Sequence, residues 1–263
     1  MKKFFILMTG IFLLSCNSGE EKKTASEVKY SDLASQNLKG DISSVEEAPY
    51  KTDSTGKIGE IDSCCVTVSD YDENGNNTRS VSKDSKGNPS SESVLTHHAN
   101  GLFKSVANTA KGKSTGGFAT KIDDKGNYSW AGEIDSNGNG GIYYTNITQN
   151  EVGEVTGWKQ FDKDSVFRQS GEATYDKHLF MSATTTDSVG KVKNTNSVKY
   201  NDKGEQTESS FTDMTRDTTK TTVTKYTYET HDEMGNWTHR TTWDDKGKAT
   251  AITKRTFTYR KKE

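Results

Sequence analysis

One short sequence recurs along the chain and limits what the chain can fold into. It has the form Asp-x-x-Gly-Asn, and its copies begin at Asp72, Asp84, Asp123, Asp135 and Asp232. Glycine and asparagine tolerate positive φ, and the aspartate carboxylate can accept hydrogen bonds from the backbone that follows it. The sequence therefore favours a tight reversal, and its recurrence predicts a chain of β-hairpins.

The spacing of the turns sets the length of the strands between them. Gly75 and Gly87 are 12 positions apart, and so are Gly126 and Gly138. A turn of about four residues then leaves strands of roughly eight to ten residues, joined as an up-and-down meander. There is room for about sixteen such strands after residue 37, given typical strand lengths.

A sheet of this size is not expected to stay flat, because strand twist makes large sheets curl or close. We therefore predict an all-β fold, a large antiparallel β-meander of many hairpins that is strongly curved or rolled toward a barrel. A two-sheet sandwich is the alternative. Strict alternation places Trp237 and Trp243 on one face of a strand and Arg240 on the other.

Composition favours an ordered chain with a thin core. Hydrophobic residues make up only 29% of the 263 residues, but the chain has 11 tyrosines, 10 phenylalanines and 4 tryptophans, and a net charge of −2. The two prolines leave the strands uninterrupted. Basic residues are interspersed rather than clustered, so we expect no nucleic-acid partner.

The N-terminus has the pattern of a secretory signal. Lys2 and Lys3 precede an apolar stretch over residues 4–14, which is too short to span a bilayer. The stretch ends in Leu-Leu-Ser followed by Cys16, which resembles the lipobox of bacterial lipoproteins. The resemblance implies a signal peptide over residues 1–15 and a mature chain that begins at Cys16 with acyl chains such as palmitate attached. An ordinary signal peptide with an incidental cysteine is the alternative.

A polar segment follows the predicted anchor. Residues 17–21 contain two early acids and are similar to the export signal of many Bacteroidota lipoproteins, which implies an outer-membrane lipoprotein. A plain solvated tether explains the same residues, so the periplasmic and the surface-exposed face both stay open. We expect a flexible tether over residues 16–37 and a single β-domain over residues 38–263.

The turns themselves resemble a known repeat. Residues 71–76 match Tyr-Asp-x-x-Gly-Asn, the core of the YD repeat of RHS-type proteins, and residues 122–127 and 231–236 differ only at the aromatic position. The chain is thus similar to YD-repeat (RHS-like) lipoproteins of the Bacteroidota type. The resemblance implies a carbohydrate-binding or scaffolding role. The Gly-Arg half of the RHS repeat is missing, and the chain is too short to enclose a cargo protein.

Other candidate chemistry has simpler explanations. Residues 70–75 match the first half of a calcium loop, but Val81 stands where the closing acid should be, so we expect a turn and no metal. Adjacent Cys64 and Cys65 would point to opposite faces of a strand, which favours two unpaired thiols over a redox pair. No zinc spacing or catalytic motif is present in the sequence, so we expect no cofactor and no enzymatic activity.

Aromatic side chains are the remaining candidates for binding. A platform of such rings could stack on sugars, although a core poor in leucine would use the same rings for packing. The candidates are Trp130, Tyr143, Tyr144, Trp158, Trp237 and Trp243.

Two hypotheses follow from the sequence. The first is a lipid-anchored, non-catalytic binding module of the envelope that recognises a glycan or a partner protein. The second is a structural or assembly lipoprotein with no small ligand. A transmembrane barrel is disfavoured because the predicted strand faces alternate aromatic residues with threonine and lysine rather than forming an apolar band.

Overall fold

The computed structural model describes residues 30–62, 66–84, 86–176, 179–215 and 218–261. The signal peptide, Cys16, Cys64 and Cys65 lie outside the described residues. The described part contains one short helix, α1 (Asp32–Ser35), and seventeen β-strands. The strands are β1 (Ile42–Thr52), β2 (Ile58–Ile61), β3 (Val66–Tyr71), β4 (Asn77–Lys83), β5 (Pro89–His97), β6 (Phe103–Ala110), β7 (Lys113–Ile122), β8 (Tyr128–Ile134), β9 (Gly140–Gln149), β10 (Val155–Phe161), β11 (Phe167–Asp176), β12 (Leu179–Asp187), β13 (Val192–Tyr200), β14 (Gln206–Asp213), β15 (Lys220–His231), β16 (Trp237–Trp243) and β17 (Ala249–Tyr259).

The strands form one closed antiparallel barrel. Each strand from β3 to β17 pairs with its neighbours in the chain, β17 pairs with β1, and β1 pairs with β3. The short strand β2 also lies beside β1 and continues the line of β3, so the barrel has sixteen strand positions. The prediction of an antiparallel meander rolled toward a barrel is confirmed, and the alternative of a two-sheet sandwich is wrong.

The repeated Asp-x-x-Gly-Asn sequence forms the hairpin turns. In the first copy the Asp72 backbone N–H donates to the Asn76 carbonyl at 2.9 Å, and the Gly75 N–H donates to the Asp72 carbonyl at 3.0 Å. Oδ1 of Asp72 also accepts from the N–H groups of Asn74 and Asn76. Gly75 has φ of 81°, a left-handed conformation that favours glycine.

A β-bulge follows many of these turns. Tyr71 pairs with Asn77 but Asp70 pairs with Arg79, so Thr78 is the extra residue, and its hydroxyl donates to the Asp70 carbonyl. Serine or threonine occupies the same place after other turns and donates to the facing carbonyl in the same way, at Ser90, Ser129, Thr207 and Thr250. An extra residue reverses which side chains face inward, so these bulges set the faces of the strands that follow.

Polar contacts cover much of the outer face of the barrel. Hydroxyl groups pair across neighbouring strands, and ion pairs join Arg79 to Glu92 and Lys199 to Glu208. The hydroxyl pairs include Thr96–Ser105, Thr174–Ser182, Thr212–Thr221 and Thr230–Thr238. These hydroxyl contacts are solvent-exposed and join paired strands side chain to side chain.

Residues 30–38, termed the α1 segment, lie across one end of the barrel, termed the α1 end. The Leu33 N–H donates to the Gly75 carbonyl, and Asn37 Nδ2 donates to the Lys203 carbonyl. Asp32 Oδ2 accepts from the Asn77 N–H at 2.7 Å and contacts Nε2 of His97 at 3.0 Å. These partners belong to turns and strand ends spread around the rim, so the segment covers this end.

The buried core lies beneath the α1 segment. One cluster contains Tyr30, Leu102, Tyr128 and Val155, and a second contains Leu33, Ile42, Val45 and Tyr71. Each cluster thus includes a residue that the sequence assigns to the tether over residues 16–37. That boundary is corrected here, because Tyr30 and Leu33 are buried parts of the folded body.

A candidate ligand-binding cavity inside the barrel

The barrel encloses a cavity of about 1220 Å³ that is partly open to solvent. Ligand pockets in proteins typically measure about 300–1,000 Å³. Strand side chains point alternately inward and outward, and the inward set here leaves the lumen hollow instead of filling it. The cavity is therefore large enough for a ligand of several rings together with water.

The lining changes from aromatic to polar along the barrel. Near the α1 end the lining rings include Phe103, Tyr128, Trp158, Tyr175, Phe180, Tyr200, Tyr228 and Trp237. Toward the opposite end, termed the far end, the lining includes Asn108, Gln169, Thr185, Asn194, Thr222 and Thr224. Apolar rings beside a covered end and polar groups beyond them suit a ligand that has both apolar and polar surfaces.

Trp158 lies flat on the barrel wall beside a glycine. Gly171 pairs with Trp158 across β10 and β11, and a Cβ built on Gly171 would lie 2.0 Å from the indole ring. Gly171 therefore provides the space that the ring occupies. The other indole face is directed to the lumen that Trp158 lines.

Tyrosine hydroxyls in the lumen are held by hydrogen bonds. Tyr144 accepts from Nε2 of Gln160 at 2.7 Å, and Tyr200 donates to the Phe180 carbonyl at 2.9 Å. Burial raises the pKa of Tyr200 to about 12, assisted by the neighbouring Tyr228. Both lumen rings are thus uncharged at neutral pH and fixed in orientation.

Two arginines flank Trp237 in the same lumen. The guanidinium carbon of Arg255 lies 3.7 Å from the centre of the Trp237 ring, and that of Arg240 lies 4.7 Å from it. Arg255 Nε donates to Oε1 of Glu47. Burial lowers the pKa of Arg255, an effect that the charge of Glu47 opposes.

The structure brings together three of the six predicted aromatic candidates. Tyr144, Trp158 and Trp237 line the cavity, whereas Trp130, Tyr143 and Trp243 do not. Tyr143 stacks on Phe161 with ring centres 5.4 Å apart on the outer face. The six residues therefore do not form one platform.

Bulges explain the separation of the two strand-β16 tryptophans. Thr241, two residues before Trp243, pairs with Thr227 on the outer face, and Trp243 Nε1 donates to Thr227 Oγ1 at 2.9 Å. The register shifts between Trp237 and Arg240, so Trp237 and Arg240 both line the lumen. The expectation that Trp237 and Trp243 share a face with Arg240 opposite is wrong, because a strictly alternating pattern omits this bulge.

Sequence reasoning missed several lining residues. Tyr226 and Tyr228 alternate on β15 and both face the lumen, as do Arg240 and Arg255 on the next two strands. The Tyr-x-Tyr spacing was a usable signal for a shared face. Nothing in the sequence alone showed that Arg240 and Arg255 face the lumen, because exposed arginines in strands are common.

The described residues carry no further site of a familiar kind. Within those ranges, no group of three or more His, Cys, Asp or Glu side chains is placed to hold a metal ion. In the same part of the chain, no helix has the length and apolar character needed to cross a membrane.

Comparison with solved structures shows that the barrel has known counterparts. The chain is similar to a porin-like protein from Bacteroides uniformis, with a TM-score of 0.52 and 13% identity over 82% of this chain and 96% of that one. A porin-like protein from Bacteroides vulgatus matches with a TM-score of 0.38 and 11% identity over 82% of this chain and 98% of that one. The Photorhabdus luminescens Tc holotoxin pore matches with a TM-score of 0.32 and 15% identity, over 81% of this chain and 11% of that one. No protein-family model and no curated protein matches the sequence. At 13% identity, the first likeness shows the fold.

Proposed function

We propose that the protein is a lipid-anchored, non-catalytic binding protein of the bacterial cell envelope that holds a ligand inside the barrel. The observation that carries the proposal is the cavity of about 1220 Å³, lined by rings near the α1 end and by amide and hydroxyl groups beyond them. A glycan fits this lining because its ring faces are apolar and its hydroxyl edges are polar.

The proposed location rests on the sequence of the N-terminus. The Leu-Leu-Ser-Cys segment ending at Cys16 supports acylation, and the resemblance to YD-repeat lipoproteins supports an outer-membrane lipoprotein on either face of that membrane. Residues 17–29 would then link the lipid to the α1 end, where Tyr30 is buried. The tether would hold the barrel in water beside the bilayer.

A pore that spans the membrane is a weaker proposal, although one structural counterpart is a porin-like protein. A spanning barrel needs an outward apolar band about 25 Å tall. The outer face here carries ion pairs such as Arg79–Glu92 and Lys199–Glu208, together with the hydroxyl pairs described above. We expect the full-length protein to add no conductance to a planar bilayer.

The binding proposal is tested with a matched pair of tryptophan variants. Trp158 lines the lumen, whereas Trp130 lies away from it beneath Lys121, whose Nζ is 5.2 Å from the Trp130 ring. The full-length protein is titrated calorimetrically with neutral and acidic oligosaccharides. We expect Trp158→Ala to weaken binding about tenfold, the value of one lost ring contact, and Trp130→Ala to leave it unchanged.

Two results would overturn this proposal. One is the absence of heat for every oligosaccharide, which would remove the glycan from the proposal. The other is equal loss of binding in both variants, which would place the ligand outside the lumen. Circular dichroism and thermal melting of each variant separate lost binding from lost folding.

A second candidate, a structural or assembly lipoprotein, is favoured by one outer patch. Tyr143, Phe161 and Phe167 form consecutive ring contacts on the outer face, with centres 5.4 and 5.6 Å apart. Val166 in the adjoining turn is 48% exposed. Such a patch suits a protein partner. A stoichiometric protein recovered with wild type from envelope membranes, but not with Phe161→Ser, would favour this function over glycan binding.

A further inference from the structure

The charged side chains around Trp237 do not all have a partner of opposite charge. Glu47 accepts from Arg255, and Glu205 contacts Nε2 of His231 at 2.5 Å and accepts from Nδ2 of Asn201 at 2.7 Å. Among the described residues, no carboxylate forms an ion pair with Arg240. Glu47 and Glu205 therefore each have a partner of their own, while Arg240 is paired with neither of them.

Arg240 is held instead by two aromatic rings and by a side-chain hydrogen bond to Tyr228. Its guanidinium carbon lies 4.9 Å from the Tyr226 ring centre and 4.7 Å from that of Trp237. Its Nε is buried and has no hydrogen-bond partner within the described part of the chain. The cation–π contacts and the Tyr228 hydrogen bond stabilise the charge but leave the Nε–H donor unsatisfied, and an anion would accept from it.

The position of Arg255 strengthens the positive potential at this point. The Arg255 side chain is only 13% exposed. Burial and, to a smaller extent, the charge of Arg240 lower the pKa of Arg255. Two cations beside one ring, of which only Arg255 is paired with a carboxylate, attract an anion more strongly in the lumen than they would in water. Both arginines line the cavity, so an anion that enters it can reach them.

We propose that Arg240, Trp237 and Arg255 form an anion subsite that binds a carboxylate or sulfate group of the ligand. The subsite rests on the proposed function, because it assigns the charge of the ligand that the lumen holds. Tyr226 would pack on the ring that bears the acid, and Arg240 would supply its unsatisfied Nε–H donor. For a glycan, this selects acidic sugars such as uronates over neutral ones.

A pair of isosteric probes tests the subsite without assuming a sugar. The full-length protein is titrated by calorimetry with 2-naphthoate and with 2-naphthamide, against a detergent-only blank. The two probes share a ring and differ in charge. We expect 2-naphthoate to bind about tenfold or more tightly than 2-naphthamide, as expected for charge-assisted hydrogen bonds. Added sodium chloride should weaken only 2-naphthoate.

Variants then assign the effect to Arg240. Arg240→Gln should reduce the affinity for 2-naphthoate to that for 2-naphthamide and leave 2-naphthamide unchanged, while Arg240→Lys should retain part of the preference. Arg79→Gln is the matched control, because Arg79 forms its ion pair on the outer face. A thermal melt confirms that each variant is folded.

The outcomes separate the two proposals. Equal binding of the two probes, or a preference that survives Arg240→Gln, overturns the anion subsite while the cavity still binds ligands. Binding of neither probe to wild type overturns both the subsite and the lumen as a ligand site. Trigalacturonate compared with its methyl ester then tests the sugar source, and equal affinity for these two overturns the selection of acidic sugars.

Discussion

The aspartate that opens a turn uses both of its carboxylate oxygens, which explains why asparagine closes the repeated sequence. In the turn at Asp135, Oδ1 accepts from the backbone N–H groups of Asn137 and Asn139, each at 2.8 Å. Oδ2 accepts from Nδ2 of Asn139 at 3.2 Å. These hydrogen bonds, that of the Asn139 backbone first, lower the pKa of Asp135. The turn is therefore stabilised by an ionised carboxylate.

Asp135→Asn tests that contribution. Asparagine can keep the backbone bonds, as Asn201 does in its own turn, but it cannot carry the charge. A carboxyl whose folded pKa is lowered contributes stability above its unfolded pKa and loses it as the pH falls through the folded value. We expect wild type to unfold at higher urea than Asp135→Asn near neutral pH, with the difference shrinking in acid.

The matched control for this prediction is Asp124→Asn, at an exposed position in another turn. It removes the same charge from a turn and leaves every hydrogen bond of Asp135 in place. Urea unfolding followed by circular dichroism from about pH 6 down to about pH 2 covers the transition. A constant gap between wild type and Asp135→Asn across that range would contradict the prediction.

The pKa of Glu154 is shifted in the opposite direction from that of Asp135. It is fully buried in the turn after β9, and burial raises its pKa to about 7, against a hydrogen bond from Asn150 that lowers it. Because the folded form holds the proton more tightly, wild-type stability falls as the pH rises from about 4.5 through about 7. Glu154→Gln removes the ionisation.

We expect Glu154→Gln to match wild type near pH 5 and to exceed it by about 2 kcal/mol near pH 8, given about 1.4 kcal/mol per pKa unit. Urea denaturation at the two pH values measures the difference. Glu172→Gln, at an exposed strand position, is the control for a Glu-to-Gln change that leaves Glu154 in place. A loss of stability at pH 8 in Glu154→Gln would show that the carboxylate is the stabilising form.

At the scale of elements, the α1 segment was beyond sequence reasoning for a physical reason. A helix of four residues has no hydrophobic period to detect, and its polar neighbours resemble a tether. Its order comes from the barrel rim, where Asp32 binds Asn77 and His97 and where Asn236 binds both backbone groups of Lys39. These contacts exist only once the barrel has closed.

Asp32→Ala tests how firmly the α1 segment is held. The change leaves the Asn77 N–H and the His97 ring without their acceptor, and buried donors without partners cost about 1–3 kcal/mol. We expect that loss in urea unfolding, together with faster amide hydrogen exchange over residues 30–38. Asp41→Ala is the control, because Asp41 pairs with Arg260 while 55% exposed. Unchanged exchange in Asp32→Ala would mean that Leu33 and Tyr30 hold the segment without it.

Strict alternation of side chains along a strand could not predict which of them face the lumen. The turn spacing predicted strand length and a count of about sixteen, consistent with curling of large sheets. The bulges that follow many of the turns moved side chains between faces, as Trp237 and Trp243 show. The Ser or Thr two positions after the closing residue of a turn, such as Thr207 or Thr250, marks such a bulge once its hydrogen bond is known. This Ser or Thr can be seen in the sequence, but it identifies a bulge only once the pairing of residues between neighbouring strands is known.

At the scale of the whole molecule, closure joins the two ends of the chain. Val45 pairs with Phe257 and Glu46 with Thr256 where β1 meets β17, and the Glu47–Arg255 contact spans 208 positions of sequence. This seam completes the lumen and gives Arg255, which lies beside Trp237, its carboxylate partner. An open sheet would leave β1 and β17 as exposed edges, so the closed cavity and the Glu47–Arg255 ion pair both depend on the seam.

A disulfide across the seam tests closure directly. Glu46→Cys with Thr256→Cys, in a background with Cys64 and Cys65 replaced by serine, places thiols on directly paired strands within the span of a disulfide. We expect mild oxidation to cross-link the variant in nearly all molecules and to raise its melting temperature, because the bond restricts a long loop in the unfolded chain. Mass spectrometry and non-reducing electrophoresis identify the bond. Glu46→Cys with Thr212→Cys is the control, since Thr212 lies on β14 with β15, β16 and β17 between it and β1. Equal cross-linking of both pairs, or of neither, would show that β1 and β17 are not paired in solution and that the sheet is open.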